Sequence, residues 1–445
     1  MQYIPNTDPD RKEMLSLTGK GSIDELFADI PKALKAGELK DIPEASSESE
    51  LKRTLKGLSE KNSPTNKSVS FLGAGSYNHF IPSIVDHIVS RSEFYTAYTP
   101  YQPEISQGML QAIFEYQSMI CSLTGMDVAN ASMYDGATAL AEAISLAISH
   151  TGRKKVLISK TVHPNYRQVV NTYANGAAWE IFEVGYRKDG ISDLEKFKAQ
   201  VDDKTACIVI SNPNFFGCLE DIKSFSEAAK AKGTLLIVSI DPVSLGILKR
   251  PGDLGVDIVV GEGQSLGLSQ NFGGPYLGIF AVKKDLMRLV PGRIVGETVD
   301  KEGKRGYVLT LQAREQHIRR ERAGSNICSN EALCALAATV YLSTMGKQGL
   351  KEVADQCLQK ANYAKEKLSK LVAFKAPTFK EFVIKLPGSV DKVNKKLLKN
   401  GIIGGLDLGK YYPELKNHML IAVTEMVKKE DIDNFMKLLN PASRS

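Results

Sequence analysis

A short polar segment ahead of a helical pattern could bind an anion. Gly136, Ala137 and Thr138 precede an alanine-rich run with helical periodicity, so they would lie at a helix N-terminus. Free backbone N–H groups and the helix dipole could meet a phosphate there, with the Thr138 hydroxyl as a further donor. Taken alone, this pattern also fits an ordinary helix start.

Two side chains that follow apolar runs could hold a flat, nitrogen-containing ring. His163 follows the run at 154–159 and could stack on such a ring, although a lone histidine is more often a satisfied core or surface residue. Asp241 ends the run at 233–240, and a carboxylate there could pair with a protonated ring nitrogen. A helix cap before Pro242 explains Asp241 equally well.

The elements that must position these residues are short apolar runs separated by helical patterns. Continuous β-branched runs of this kind are typical of a mostly parallel sheet covered on both faces, which binds ligands at the carboxyl ends of its strands. The sequence therefore predicts an α/β fold. The six runs are 154–159, 177–184, 205–211, 233–240, 257–261 and 276–282.

Three regions are expected along the chain. Residues 1–65 are polar and helical and form an N-terminal arm, with Thr7 as a helix cap. Residues 66–330 form the large α/β domain. Residues 331–445 begin with a long helix broken near Gly346, and then alternate strand, helix, strand and helix, which predicts a small C-terminal α/β domain.

Composition excludes several classes of protein. The 445 residues are 43% hydrophobic and 24% charged, which is ordinary for a globular protein. The net charge of +6 is modest, and the basic run at 314–322 contains glutamates and no aromatic residue, so nucleic-acid binding is not expected. Neither a signal peptide nor a membrane span is evident, which predicts a cytoplasmic protein.

The cysteines do not suggest a metal centre. None of the six forms a CxxC pair or stands at a metal-binding distance from a histidine, so we interpret them as reduced thiols. They are Cys121, Cys207, Cys218, Cys328, Cys334 and Cys357.

In their order along the chain, the candidate residues resemble the large domain of fold type I enzymes, which use pyridoxal 5'-phosphate (PLP). The Gly-Ala-Thr segment, His163, the turn at Asn212 and Asp241 each follow a strand pattern. In that family a lysine beyond the aspartate holds PLP as a Schiff base, but residues 257–280 contain no lysine. Gln264 and Gln270 lie in that interval, and an amide cannot form an imine. The resemblance thus implies that this chain has no Schiff-base lysine and does not hold PLP covalently.

Longer motifs resemble the glycine decarboxylase P-protein of the glycine cleavage system. The most specific is YTPYQPEISQG at 98–108, supported by FLGAGSYNHFIPSIV at 71–85 and RRERAGSNICSNEAL at 319–333. The size and the missing lysine resemble subunit 1, the α chain of its two-subunit form. In that family a β subunit (subunit 2) carries the lysine and PLP, and the two pack as α2β2. The joint enzyme decarboxylates glycine and passes the aminomethyl group to the lipoyl arm of H-protein.

The resemblance assigns candidate site residues to a proline-punctuated loop. We expect it to reach the partner's PLP, shape the glycine site and exclude water, although an interface clamp that never touches the cofactor fits as well. Its residues are Tyr95, Tyr98, Thr99, Tyr101, Gln102 and Glu104. Ser325 and Asn326 resemble the segment that fold type I partners extend to the neighbouring phosphate. Gly136, Ala137, Thr138, His163 and Asp241 would then form a relic pocket.

Three alternatives stay open from the sequence. The chain could be a standalone PLP enzyme that uses an unexpected lysine. It could instead be a non-catalytic scaffold that stabilises the β subunit. Finally, it could be a pseudoenzyme whose empty pocket binds an anion through Thr138.

Overall fold

The computed structural model describes residues 6–37, 41–62, 68–271, 274–327 and 329–439. The chain divides into two compact units, Met1–Ser63 and Pro64–Ser445. The predicted C-terminal domain does not separate from the large domain in this division, and the three-part organisation stays a prediction.

The described part of the first unit contains two capped α-helices and two short 3-10 helices. The α-helices are α1 (Asp8–Leu17) and α2 (Glu48–Ser59). Thr7 and Asp10 form a reciprocal capping box at α1, as Ser47 and Glu50 do at α2. Neither helix has a buried residue, so α2 exposes its leucines.

Among the described residues, the second unit holds the other α-helices and the strands. The helices are α3 (Ser83–Val89), α4 (Ser92–Tyr95), α5 (Gln107–Thr124), α6 (Gly136–Thr151), α7 (Pro164–Ala177), α8 (Leu194–Gln200), α9 (Ile222–Lys230), α10 (Gln316–Arg319), α11 (Ala332–Lys367), α12 (Val390–Leu398) and α13 (Lys429–Leu439). The strands are β1 (Val69–Ser70), β2 (Val128–Ala129), β3 (Lys155–Ser159), β4 (Glu180–Val184), β5 (Thr205–Asn212), β6 (Leu235–Ile240), β7 (Ile258–Glu262), β8 (Gly278–Val282), β9 (Ile294–Val299), β10 (Arg305–Thr310), β11 (Glu381–Lys385), β12 (Ile402–Ile403), β13 (Leu406–Asp407) and β14 (His418–Ala422).

A seven-stranded sheet forms the centre of this unit, with strand order β2-β8-β7-β6-β5-β3-β4. The pairs among β4, β3, β5, β6 and β7 are parallel, whereas β8 runs antiparallel to β7 and β2. On β5, Cys207 and Val209 pack into one buried cluster, and Ile208 and Ile210 pack into another on the opposite face. Helices cover both faces, so the predicted mostly parallel α/β sheet is confirmed.

The C-terminal part follows the predicted order of elements. Helix α11 contains Gly346 with φ 59° and ψ −172°, a non-helical conformation that breaks it where the sequence predicted. Strands β11, β14 and β13 form an antiparallel sheet, while β12 pairs in parallel with β1. Within the described part of the chain, no helix is long and apolar enough to cross a membrane.

Candidate functional site

A small pocket lies at the carboxyl ends of the central strands, where ligands of such sheets bind. It encloses a cavity of about 60 Å³. Three residues that the sequence assigned to the relic pocket are gathered here or beside it: His163 and Asp241 line it, and Gly136 starts α6 next to Glu262. We call it the central pocket; its other polar lining includes Tyr77, Asn214, Gln264, Lys380 and Glu381.

The N-terminus of α6 is already occupied by carboxylates of the chain itself. Asp135 caps the helix, accepting from the Thr138 N–H at 2.8 Å, and the Thr138 hydroxyl bonds back to Asp135. Glu262 Oε2 accepts the Gly136 N–H at 3.0 Å. Glu262 Oε1 accepts two further N–H groups, from Gln264 at 3.1 Å and Leu277 at 3.0 Å. A carboxylate therefore stands where an incoming phosphate would bind.

Asp241 is held by a buried lysine that the sequence reasoning missed. Lys380, 1% exposed, places Nζ 2.6 Å from Asp241 Oδ2. The same ammonium lies 3.5 Å from the centre of the Tyr77 ring, a cation–π contact. Asp241 also caps the short 3-10 helix Pro242–Gly246 by accepting from the Val243 N–H. Asp241 thus caps the short helix, and the cation that it pairs with is Lys380.

His163 stacks on a flat ring, and that ring belongs to the protein. Its imidazole lies 4.9 Å from the Tyr166 ring at 27°. His163 Nε2 donates to the Ala74 carbonyl at 2.9 Å, and Nδ1 accepts from the Asn165 N–H. Burial lowers the pKa of His163 to about 4, in agreement with a neutral ring.

The residues of the central pocket do not fit PLP. Gln264 uses its amide on the backbone of Tyr77 and Leu268, so it holds two segments together. Its amide could form no imine. The helix terminus faces Glu262, Asp241 faces Lys380, and the cavity is far smaller than the roughly 300 Å³ of a small-molecule site.

A buried polar network continues from Lys380 towards the C-terminal strands. Lys380 Nζ lies 3.1 Å from His79 Nε2, and His79 Nδ1 lies 2.7 Å from Glu425 Oε2, so we assign the ring proton to Nδ1. Burial and the nearby Lys380 lower the pKa of His79. Cys357 donates to the same Glu425 oxygen at 3.4 Å. Although His79, Cys357 and Glu425 are spaced for a metal ion, they already bond one another beside an ammonium group, which disfavours a cation.

The tyrosine loop, residues 95–105, is largely exposed, in contrast to the buried central pocket. Tyr98 is 83% exposed, Tyr95 69% and Tyr101 52%. Gln102 and Glu104 are also exposed, Thr99 is half-buried, and Ile105 adds a further exposed apolar side chain. Large apolar side chains gathered on one surface are typical of an interaction site.

Arg293, which the sequence did not single out, joins the tyrosine loop to the segment after α10. Its guanidinium lies 5.6 Å from the centre of the Tyr101 ring. It also donates to Ser329 Oγ at 3.1 Å and lies 3.4 Å from Asn330 Oδ1. The one sequence signal near Arg293 is the Pro-Gly pair before it, which is typical of a turn. Arg293 thus contacts both Tyr101 of the loop and the chain just after Ser325 and Asn326.

Ser325 and Asn326 lie between α10 and α11, a few residues before Ser329. Asn326 is exposed, and Ser325 hydrogen-bonds to Glu142, whose pKa burial raises to about 7. Ser325 lines a cavity of about 90 Å³ together with Arg314. Neither Nε nor Nη2 of Arg314 has a hydrogen-bond partner among the described residues, although both are buried. This edge of the molecule therefore contains unmet polar groups.

Comparison with solved structures identifies the fold class of the chain. The chain superposes with a TM-score of 0.67 and 16% identity on sphingosine-1-phosphate lyase from Burkholderia pseudomallei, covering 93% of this chain and 94% of that one. It also superposes with a TM-score of 0.69 and 13% identity on glutamate decarboxylase from Lactobacillus brevis, covering 92% and 95%. At these identities the likeness shows the fold alone, which is that of fold type I PLP enzymes.

The family follows from closer similarities. The family model described as glycine cleavage system P-protein matches residues 1–439. A crystal structure of glycine decarboxylase (P-protein) in inhibitor-bound form superposes with a TM-score of 0.90 and 43% identity, covering 99% of both chains. The chain therefore belongs to the glycine cleavage system P-protein family.

The similar curated proteins carry the name of one subunit. Probable glycine dehydrogenase (decarboxylating) subunit 1 from Geobacillus sp. strain WCH70 is 57% identical over 98% of both chains. The protein of the same name from Geobacillus kaustophilus is 58% identical over 98% of both. The chain thus matches subunit 1 of a split glycine dehydrogenase over nearly its whole length, which implies a partner subunit.

Proposed function

We propose that this chain is the α subunit of a cytoplasmic glycine decarboxylase and has no Schiff-base lysine. We further propose that it completes the active site of a PLP-bearing β subunit in an α2β2 assembly. In the complete enzyme, PLP held by the β subunit supplies the electron sink for loss of CO2 from glycine. The remaining aminomethyl group passes to the lipoyl arm of H-protein. Every task of this chain is then one of binding, orientation and exclusion of water.

The observation that carries this proposal is the contrast between a missing lysine and an exposed loop. No lysine stands in residues 257–280, and the pocket that would need one is filled by protein side chains. The tyrosine loop offers hydroxyl, amide and carboxyl groups at the surface, where a second chain can reach them.

The arrangement of the loop suits a role in positioning. The N–H of Tyr101 bonds to the Thr99 carbonyl at 2.8 Å, and Pro103–Ile105 form a 3-10 turn, so the backbone is preorganised. Tyr98 and Tyr101 lie with ring centres 6.4 Å apart. Against a β subunit, these rings would exclude water, and the hydroxyls and Glu104 would hydrogen-bond polar groups around glycine. Such preorganised contacts hold a reacting bond in the right orientation.

The test is glycine-dependent exchange of CO2 by the assembled α and β subunits with H-protein. Either subunit alone should show no exchange, and together they should be active. Tyr98→Phe and Glu104→Gln should each lower exchange at least tenfold while size-exclusion chromatography shows an intact assembly. Tyr411→Phe, which alters an exposed tyrosine of the C-terminal part, is the matched control and should retain full activity.

Two outcomes would overturn the catalytic role. If both loop variants assemble and turn over normally, the chain is a scaffold that stabilises β. If the isolated chain exchanges CO2, it is a standalone enzyme.

A further inference from the structure

In the central pocket, Lys380 pairs with Asp241, and Glu262 accepts a backbone N–H at the start of α6. Bound PLP presents a protonated ring nitrogen at one end and a phosphate at the other. A fold type I pocket meets the first with an aspartate and the second with a helix N-terminus. Here those two receptors are Asp241 and the first turn of α6, and each already has a partner.

At the aspartate end, Lys380 supplies the positive charge. Its Nζ lies 2.6 Å from Asp241 Oδ2, and both side chains are buried or nearly so. The ammonium is enclosed further by the Tyr77 ring and by His79 Nε2. A ring nitrogen could approach Asp241 only by displacing Lys380, whose ammonium group is buried and paired.

At the helix end, Glu262 supplies the negative charge. Its two carboxylate oxygens accept three backbone N–H groups, from Gly136, Gln264 and Leu277. Burial raises the pKa of Glu262 to about 7, while these N–H donors oppose the increase. A Cβ atom built on Gly136 would lie 2.4 Å from the Tyr166 hydroxyl, so the first turn of α6 has no free space beside it. A second anion there would meet a like charge as well as occupied donors.

Glu381, a further buried carboxyl group of the pocket, is also paired. Glu381 accepts from the Tyr77 hydroxyl at 2.8 Å and from the Ala74 N–H at 2.7 Å. None of the buried polar atoms left without a partner in the described chain belongs to Asp241, Glu262 or Lys380.

We propose that Lys380 and Glu262 are built-in replacements for the charged ends of PLP, so that the central pocket is self-filled and rejects both PLP-like ligands and free phosphate. The pocket then serves as a fixed internal support, and only the partner's site in each αβ pair takes the cofactor.

The test uses the full-length chain with two probes, inorganic phosphate and 4'-deoxypyridoxine 5'-phosphate, which lacks the aldehyde and cannot label surface lysines. Measurements at pH 8 keep Glu262 ionised, and sodium chloride matches the ionic strength. For the unaltered chain, calorimetry should detect no binding at millimolar probe, and its Tm should not move. Glu262→Ala should melt several degrees lower, and phosphate should restore at least half of that loss by occupying the vacated N–H groups.

The matched control for Glu262→Ala is the same substitution at a second buried glutamate, Glu220. Glu220→Ala removes another buried glutamate that accepts backbone N–H bonds, away from α6, and phosphate should not restore its Tm. Saturable binding of either probe to the unaltered chain would overturn the proposal. So would a Glu262→Ala chain that phosphate leaves unchanged; if that chain does not fold, Glu262→Gln replaces it. Neither partner nor glycine is present, so this result is independent of the exchange assay.

Discussion

The central pocket and the tyrosine loop differ in whether their side chains are buried and paired within the chain. In the pocket, charges meet charges of the same chain: Lys380 faces Asp241, and Glu262 faces the N–H groups of α6. At the loop, Tyr98 is exposed, and nearby Arg314 and Glu315 retain buried atoms without partners among the described residues. The region corresponding to an active site is therefore closed in this chain, whereas the tyrosine loop keeps its aromatic side chains exposed.

The largest expected effect comes from breaking the pocket at Lys380. Lys380→Met leaves the Asp241 carboxylate buried without its ion-pair partner. Loss of one member of a buried pair costs about 3–5 kcal/mol of unfolding free energy. Urea unfolding of the isolated chain measures it. The double variant Asp241→Asn/Lys380→Met should recover much of the lost stability, because no buried charge is then left without a partner. If Lys380→Met is as stable as the unaltered chain, the buried ion pair does not have the role described above.

The next effect concerns the neutral His163 ring. Its pKa is about 4 in the folded protein and about 6.5 in an unfolded chain, so between these values the unfolded state binds the proton. The contribution of His163 is therefore fully present above pH 6.5 and is lost as the pH falls towards 4, by up to about 3 kcal/mol. His163→Phe should lose less stability than the unaltered chain when urea unfolding is compared at pH 7 and pH 4.5.

The exposed His150 provides a matched control for that comparison. His150→Phe should leave the pH dependence of unfolding unchanged. If His163→Phe has the same pH dependence as the unaltered chain, the ring is not the buried neutral group described above.

A smaller effect is expected when the loop is altered. Truncating a central aromatic residue of an interface costs about 2 kcal/mol, or roughly 30-fold in Kd. Tyr98→Ala should therefore weaken association with the β subunit by that factor and leave the Tm of the isolated chain unchanged. Leu398→Ala alters another exposed apolar residue and should bind normally. Unchanged affinity for Tyr98→Ala, measured by surface plasmon resonance, would remove the loop from the interface.

Much of the fold could be predicted because its elements have strong local signals. Each of the six predicted runs overlaps a strand, and the break at Gly346 falls where the sequence placed it. The sequence placed His163, Asp241 and the start of α6 at one edge of the sheet, where the ends of parallel strands meet, and the structure has them at or beside the central pocket. Lys380 and Glu262 escaped notice because their roles depend on contacts far along the chain. Lys380 stands 139 residues beyond Asp241, in a segment whose pattern indicates only a strand.

Arg293 was missed for the same reason. A lone arginine after Pro-Gly forms no recognisable sequence motif, and its contact with the Tyr101 ring is visible only in the folded chain. Conversely, the tyrosine loop was proposed as a site from its motif, because its prolines make it rigid and its side chains are rich in hydroxyl groups. Its role stays a prediction.

One measurement tests most directly whether the imine chemistry belongs to the partner. The purified αβ complex, freed of excess PLP by gel filtration, is reduced with borohydride, and both chains are analysed by peptide mass spectrometry. The account predicts one pyridoxyl-lysine, on the β subunit, and none on this chain. A stoichiometric pyridoxyl-lysine on any residue of this chain would contradict it.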